Sequence, residues 1–352
     1  MVNESKSTLL HAVRWFAALI VLLGHAGMIA RQKTGGGAFA WAYMESHAHA
    51  AVVIFFVLSG FVIAWSVDKS AGLTWKKYYI DRFTRIYSVL PVAILFTVLL
   101  DYIGGQLSGA YANPLLIPQD HHWVRLLVNL FSVQGFQGYR VQLGSNPALW
   151  SIGFEFFYYV VFGLIFFWRE IFAANLKLAS VVVLGMFALA GTKISLYFFI
   201  WGLGFFAYRA QKKITLSAGY FWLFLAAALL VNHFVVYKGL GRIEYLCDLS
   251  LGLVVAALFV PAVPPLGMIR FHKFMADFSY SLYAFHMPIL FFSYFVMMDG
   301  RISVPWFSSG AVVMCLVLSW VVSVLAEKKR FLMRGWLMKY AIHQSGKLEP
   351  KS

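Results

Sequence analysis

The chain has 352 residues, 61% of them hydrophobic and 12% charged, where a soluble domain is about half apolar and about a quarter charged; water is excluded as its main solvent. Its formal charge of +15 does not indicate nucleic acid, because the basic residues sit in short hydrophilic segments between apolar runs, where they set orientation in a membrane. Cys247 and Cys315 are the only cysteines and both fall inside apolar runs, so neither a disulfide framework nor a cysteine metal site is expected, and no metal is.

Eleven apolar runs follow in order, at about 9–30, 49–67, 83–103, 123–136, 147–168, 174–191, 194–208, 216–237, 244–262, 275–298 and 304–326. The first resembles a signal peptide in position, but it is long, holds Arg14 and His25 and precedes further runs, so it reads as a retained first helix. Gly35 to Gly37 mark a loop. If all eleven runs cross with the N-terminus inside, the basic excess falls outside, against the positive-inside rule. If the fourth and shortest run does not cross, eight basic residues lie outside (Arg31, Lys33, Arg125, Arg140, Lys193, Lys238, Arg242, Arg301) and 20 inside, with Arg14 in the first helix completing the 29.

The expected fold is therefore all-α, a polytopic bundle of about ten transmembrane helices with both termini cytoplasmic, in the inner (cytoplasmic) membrane of the cell. Residues 123–136 become one short re-entrant or interfacial helix on the outer side. Backbone at that depth needs protein or a water-filled cavity to satisfy it, which implies a cavity open to the outside. Residues 1–327 form the membrane domain and 328–352 a basic cytoplasmic tail. No internal repeat is visible.

Ionisable groups inside spans are costly unless paired or hydrated, which makes each a functional candidate. Arg14 and His25 are eleven residues apart, nearly three full turns, so they share a stripe of the first helix roughly 16 Å apart along its axis. Arg82 and Arg85, after Lys76 and Lys77, put two guanidinium groups side by side, a geometry suited to phosphate as well as to a basic loop. Trp150, Ser151 and Glu155 open the fifth run behind Asn146 and Pro147, with Ser151 and Glu155 on one face. Ser279, Tyr283 and His286 share a face of the tenth run, with Pro288 kinking it just beyond; interhelical packing explains these equally well. Ser59 and Gly60 read first as close helix packing.

Together these stretches resemble the membrane-bound acyltransferase family 3, whose members O-acylate saccharides and related molecules. The resemblance covers residues 9 to about 326 and rests on Arg14 with His25, Phe55 to Phe61 (FFVLSGF), Arg82 to Ile86 (RFTRI), Trp150 to Tyr158 (WSIGFEFFY) and Ser279 to Ile289 (SYSLYAFHMPI), in the family's order. Two departures stand out. Many members have an acidic residue where this chain has Val53, so a polar contact there is absent or supplied by His47 or His49. A frequent family proline is replaced by Ser88, with Pro91 three residues later, which displaces a helix kink. Some members carry a fused extracytoplasmic esterase-like domain; none is expected here.

The resemblance implies an acyl-CoA donor, most often acetyl-CoA, entering from the cytoplasm. It also implies an acceptor hydroxyl on a saccharide, polysaccharide or lipid-linked glycan reached from the other side. Arg82 and Arg85 would bind the donor's phosphates, with Arg14 beside the arm or the developing oxyanion. His25 would be the general base or become transiently acylated, with Glu155 orienting its imidazole or stabilising the charged form. Trp123, Phe131, Phe136 and Tyr139 suit either sugar stacking or the membrane interface. Ser59, Trp150, Ser151, Ser279, Tyr283 and His286 complete the set as substrate-binding or structural polar residues. The alternative is a multi-pass transporter with a buried His/Arg/Glu relay, which would predict the repeat that is missing.

Overall fold

Lipid offers no hydrogen bonds, so a chain immersed in it must pair its backbone groups internally. The computed structural model describes residues 4–35, 42–139, 141–237, 244–298, 300–327 and 329–347, and among them the regular structure is helical, with no strand. Gly36, Gly37, Arg140, Lys238, Arg242, Lys328 and Lys351, which enter the loop and charge arguments, lie outside the described residues.

The helices run in order α1 (Glu4–Thr34), α2 (Ala42–Lys69), α3 (Trp75–Tyr87), α4 (Leu90–Leu107), α5 (His122–Leu130), α6 (Trp150–Phe166) and α7 (Trp168–Ile171). They continue as α8 (Leu176–Ala190), α9 (Thr192–Gln211), α10 (Ala218–Tyr237), α11 (Glu244–Leu258), α12 (Ile269–Asp277), α13 (Ser279–Phe292), α14 (Val304–Val322) and α15 (Arg330–Lys347). Among the described residues six stretches are long and apolar enough to cross a membrane: α1, Met44–Lys69, Trp75–Leu107, Pro147–Phe166, Ser279–Met297 and Val304–Tyr340. The pair α8 and α9, bent by 117° at Gly191, adds a seventh if it counts as one span, and α10 and α11 hold shorter apolar stretches. A multi-pass helical protein is what results; length and apolarity alone do not reach the ten spans expected from the charge balance.

The fourth run does not form a long helix. Its helix, α5, has nine residues, about 13 Å of rise, too short to cross. Protein groups satisfy backbone carbonyls around it: Asn129 Nδ2 donates to Val141 O at 2.8 Å, Tyr87 OH to Leu130 O at 3.0 Å and Gln134 Nε2 to Leu149 O at 2.5 Å. Gln137 Nε2 donates to Ala188 O at 2.7 Å and so caps the end of α8.

Both prolines expected to disturb helices do so in ways their neighbours absorb. The third run breaks at Ser88 and Val89, and Pro91 sits in the first turn of α4, where its missing N–H has no partner to lose. Pro288 lies inside α13 and frees the carbonyl four residues earlier. That carbonyl, Ala284 O, accepts from Asn146 Nδ2 at 2.9 Å, and the same amide reaches Thr97 Oγ1 at 3.1 Å. Asn146 thus ties the loop before α6 to the carbonyl that Pro288 leaves free in α13.

Helices α2 and α9 touch backbone to backbone. A Cβ at Gly60 would run into Trp201 O, and one at Gly204 into Val57 O, while nothing lies near Gly202. The close packing read from Gly60 is borne out. Gly60→Ala and Gly204→Ala should each destabilise the protein by about 1–3 kcal/mol, the usual cost of overpacking. Thermal unfolding in detergent should therefore show a lower midpoint for both, with Gly202→Ala unchanged.

Candidate active site

A cavity of about 460 Å³ opens between α1, α2, α3, α6, α13 and the C-terminal helix α15. Of the residues singled out from the sequence, Arg14, Ser59, Arg82, Arg85, Ser151, Glu155, Ser279 and Tyr283 line it. Two hydrogen bonds lock α3 against α6 and fix the arginines' height: Tyr78 OH donates to Tyr159 O at 3.0 Å and Tyr79 OH to Val160 O at 2.9 Å.

The cavity wall is dominated by guanidinium groups. Arg82 lies over the rings of Tyr78 and Tyr159 at 5.8 and 5.7 Å, and Arg85 over Tyr280 at 5.6 Å. From α15 come Arg330, over Phe331 at 4.9 Å, and Arg334, which pairs with Asp81. Among the described residues Arg14, Arg82, Arg85 and Arg330 have no carboxylate within ion-pair distance, and Arg82 Nε is buried without any partner. Glu155 and Glu327 act on Arg14 and Arg85 only at longer range. Aromatic faces hold Arg82, Arg85 and Arg330 in place without neutralising them. Such an excess of interior positive charge is costly unless an anion enters, and guanidinium forks suit phosphate oxygens.

Next to the arginines runs the stripe Ser151, Glu155 and Tyr159 of α6, each four residues from the next and so on one face. Glu155 accepts from Ser59 Oγ at 2.9 Å and from Tyr159 OH, and Ser59 accepts from Trp201 Nε1 at 3.2 Å. Ser151 Oγ donates to Tyr283 OH at 2.6 Å, and Ser279 Oγ to Ala276 O at 2.8 Å, capping α12. Ser281 donates to Glu327 at 2.8 Å, so the end of α14 is bound to α13.

His25, His286 and Trp150 are not among the lining residues. His25 stands on the same α1 stripe as Arg14, roughly 16 Å farther along the axis, and packs against His286: Nδ1 of His25 is 2.8 Å from Nε2 of His286, with the rings stacked 5.0 Å apart. Tyr283, which does line the cavity, packs against His286 at 5.7 Å and against Phe55 at 5.9 Å, so this aromatic layer stands between cavity and histidines. The expected contact of Glu155 with His25 is replaced by two separate ones, since Glu155 is held by Ser59 and Tyr159 on the cavity wall. The imidazole's partner is another imidazole.

Trp150 stacks on His49, with ring centroids 6.5 Å apart. His49 Nε2 lies 2.8 Å from Asp248 Oδ2, and Tyr197 OH donates to the same oxygen. His49, one turn from the buried Val53, thus has a polar contact with an acid supplied by α11. Sequence reasoning passed over Asp248, although an acidic residue inside an apolar run is itself a signal. It also passed over Glu327, Arg330 and Arg334, because a basic tail is explained by topology alone.

The acyltransferase-domain family model matches residues 9–324. Over 161 residues the chain is 34% identical to acyltransferase MdmB of Streptomyces mycarofaciens, covering 44% of this chain and 38% of that protein. Over 165 residues it is 27% identical to the O-acetyl transferase of Shigella phage Sf6, covering 45% and 46%. The matched stretch spans less than half the length of either relative. No solved structure matches.

The cavity has a chemical signature that does not depend on activity. Ser66 lines it, whereas Ser308 is fully buried between α13 and α14. With Cys247 and Cys315 replaced by serine, Ser66→Cys should react with a small maleimide in the folded protein and Ser308→Cys should not, as read by mass shift.

Proposed function

Since the chain belongs to acyltransferase family 3, we propose that it moves an acyl group, acetyl in the first instance, from cytoplasmic acyl-CoA to a hydroxyl of a saccharide or glycoconjugate on the outer side of the membrane. The observation that carries this reading is the cavity in which Arg14, Arg82, Arg85 and Arg330 have no carboxylate partner among the described residues, with Arg14 on the same α1 stripe as a histidine. A transporter relay would need its cations paired or exchanged with protons; unpaired guanidinium forks suit a polyphosphate.

In this reading Arg82 and Arg85 take the phosphates of the donor, with Arg330 closing the wall from α15. The arm of the donor runs along α1 past Arg14 toward His25, with the rings of Tyr283 and Phe55 moving aside to admit it. An alcohol is a weak nucleophile at neutral pH, so the acceptor oxygen needs a base as it attacks the thioester carbonyl, and His25 removes that proton. The tetrahedral intermediate expels the CoA thiolate, which is protonated by the histidine, leaving the ester and free CoA. Glu155 holds Ser59 and Tyr159 in place and supplies negative charge near Arg14 and Arg85, which keeps an empty cavity from being purely cationic. The exposed aromatics Trp123, Phe131 and Tyr139 on the outer segment offer stacking faces for a sugar. The orientation with both termini in the cytoplasm, ten spans and the tail after residue 327 on the donor side belong to the same proposal.

Arg82→Ala combined with Arg85→Ala should raise KM for acetyl-CoA by at least about tenfold, since each lost charge-assisted contact is worth about 1.5–3 kcal/mol. His25→Ala should keep CoA binding and lower kcat by about 10²–10⁴-fold. Transfer assays on the purified protein with radiolabelled acetyl-CoA, beside measurement of ester-linked acetyl groups on surface glycans of cells with and without it, test both. Normal transfer by His25→Ala would refute the base assignment, and an unchanged KM in the double variant the phosphate site.

A further inference from the structure

We propose that His286 is the positioning residue for His25, and that it fixes the tautomer in which Nε2 of His25 is the atom that takes the acceptor's proton. This rests on His25 being the base.

The assignment follows from counting hydrogens along a short chain of contacts. Nδ1 of His286 lies 2.8 Å from Tyr283 O and 3.2 Å from Leu282 O, both carbonyls of its own helix. A carbonyl only accepts, so Nδ1 of His286 carries the hydrogen, and in the neutral ring Nε2 is left as an acceptor. That acceptor is the atom facing Nδ1 of His25 at 2.8 Å. The hydrogen of this second bond must therefore come from His25 Nδ1, which leaves Nε2 of His25 with a free lone pair. Among the described residues Nε2 of His25 has no partner, and the residue is half-buried, whereas His286 is 1% exposed. A charged His286 would reverse the pair. It would be an imidazolium in an apolar interior with no carboxylate in ion-pair range among the described residues, which costs several kcal/mol.

The same chain supports catalysis. When Nε2 of His25 accepts the hydroxyl proton, the ring becomes a cation whose Nδ1–H already points at His286. Its charge is then spread through His286 to the two carbonyl dipoles. The proton stays on His25 Nε2 until it passes to the departing thiolate, so His286 neither gains nor loses one. The histidine pair does the work done elsewhere by an Asp–His dyad, ending on backbone carbonyls in place of a carboxylate.

Two measurements on the purified full-length protein decide it. In the ¹⁵N-histidine-labelled protein, assigned by comparison with His25→Ala, Nδ1 of His25 should appear as a protonated and Nε2 as a bare ring nitrogen. Bare Nδ1, or averaging between tautomers, would overturn the proposal whatever the activity. In transfer assays His286→Gln, which keeps an acceptor at the reach of Nε2, should retain kcat within about threefold, while His286→Met should lose about 10²-fold in kcat with KM for acetyl-CoA unchanged. Equal activities of the Gln and Met variants would overturn the positioning role and leave the base assignment standing. Full activity of His25→Ala would instead remove the base assignment, and the nitrogen spectrum would still report whether the tautomer is fixed.

Discussion

In a hydrocarbon solvent a polar group must be answered inside the protein or remain a liability, and the arrangement of this molecule follows from how each one is answered. Backbone groups come first: helices satisfy most of them, and side chains close the gaps that helices leave. Asn146 supplies the donor that Pro288 cannot, and Asn129, Gln134 and Gln137 tie down the irregular segment around α5. Carbonyls of α13 hold the ring of His286. Against this background Arg14, Arg82, Arg85 and Arg330 stand out, because among the described residues no carboxylate answers their charge at ion-pair distance.

The interior is organised on two levels. At one lies the cavity with Arg14, Arg82, Arg85 and Arg330; at the other lies the stacked pair His25 and His286. The unbroken helix α1 joins them, and Tyr283, hydrogen-bonded to Ser151 and packed on Phe55, forms the layer between. A donor with charged phosphates and a long arm fits this division, because charge recognition and bond-making then occur at opposite ends of one molecule. The C-terminal helix takes part as well: Arg334 pairs with Asp81 and Arg330 reaches the cavity, so what reads as a basic tail helps build the wall.

A second polar cluster, His49, Asp248 and Tyr197, sits against Trp150 at the start of α6. It lies one turn from the buried Val53 and joins α2 to α9 and α11 through side-chain contacts.

The sequence by itself determined that the protein is helical and membrane-embedded, where most of its apolar helices lie, and which residues share a face along a single helix. Arg14 with His25 and Ser151 with Glu155 were legible because they are separated by near-whole turns, a local geometry set by the backbone. The resemblance to the family was legible for the same reason, since its motifs are short and each lies within one run. What only the tertiary structure decided is which faces meet. His25 pairs with a residue 261 positions away and Glu155 with one 96 positions away, and neither partner was the one expected. A helix apolar on all sides has no amphipathic stripe to fix its rotation in the bundle. Small contacts such as the glycine crossing of α2 and α9 set that rotation, and with it the neighbours each polar group finds.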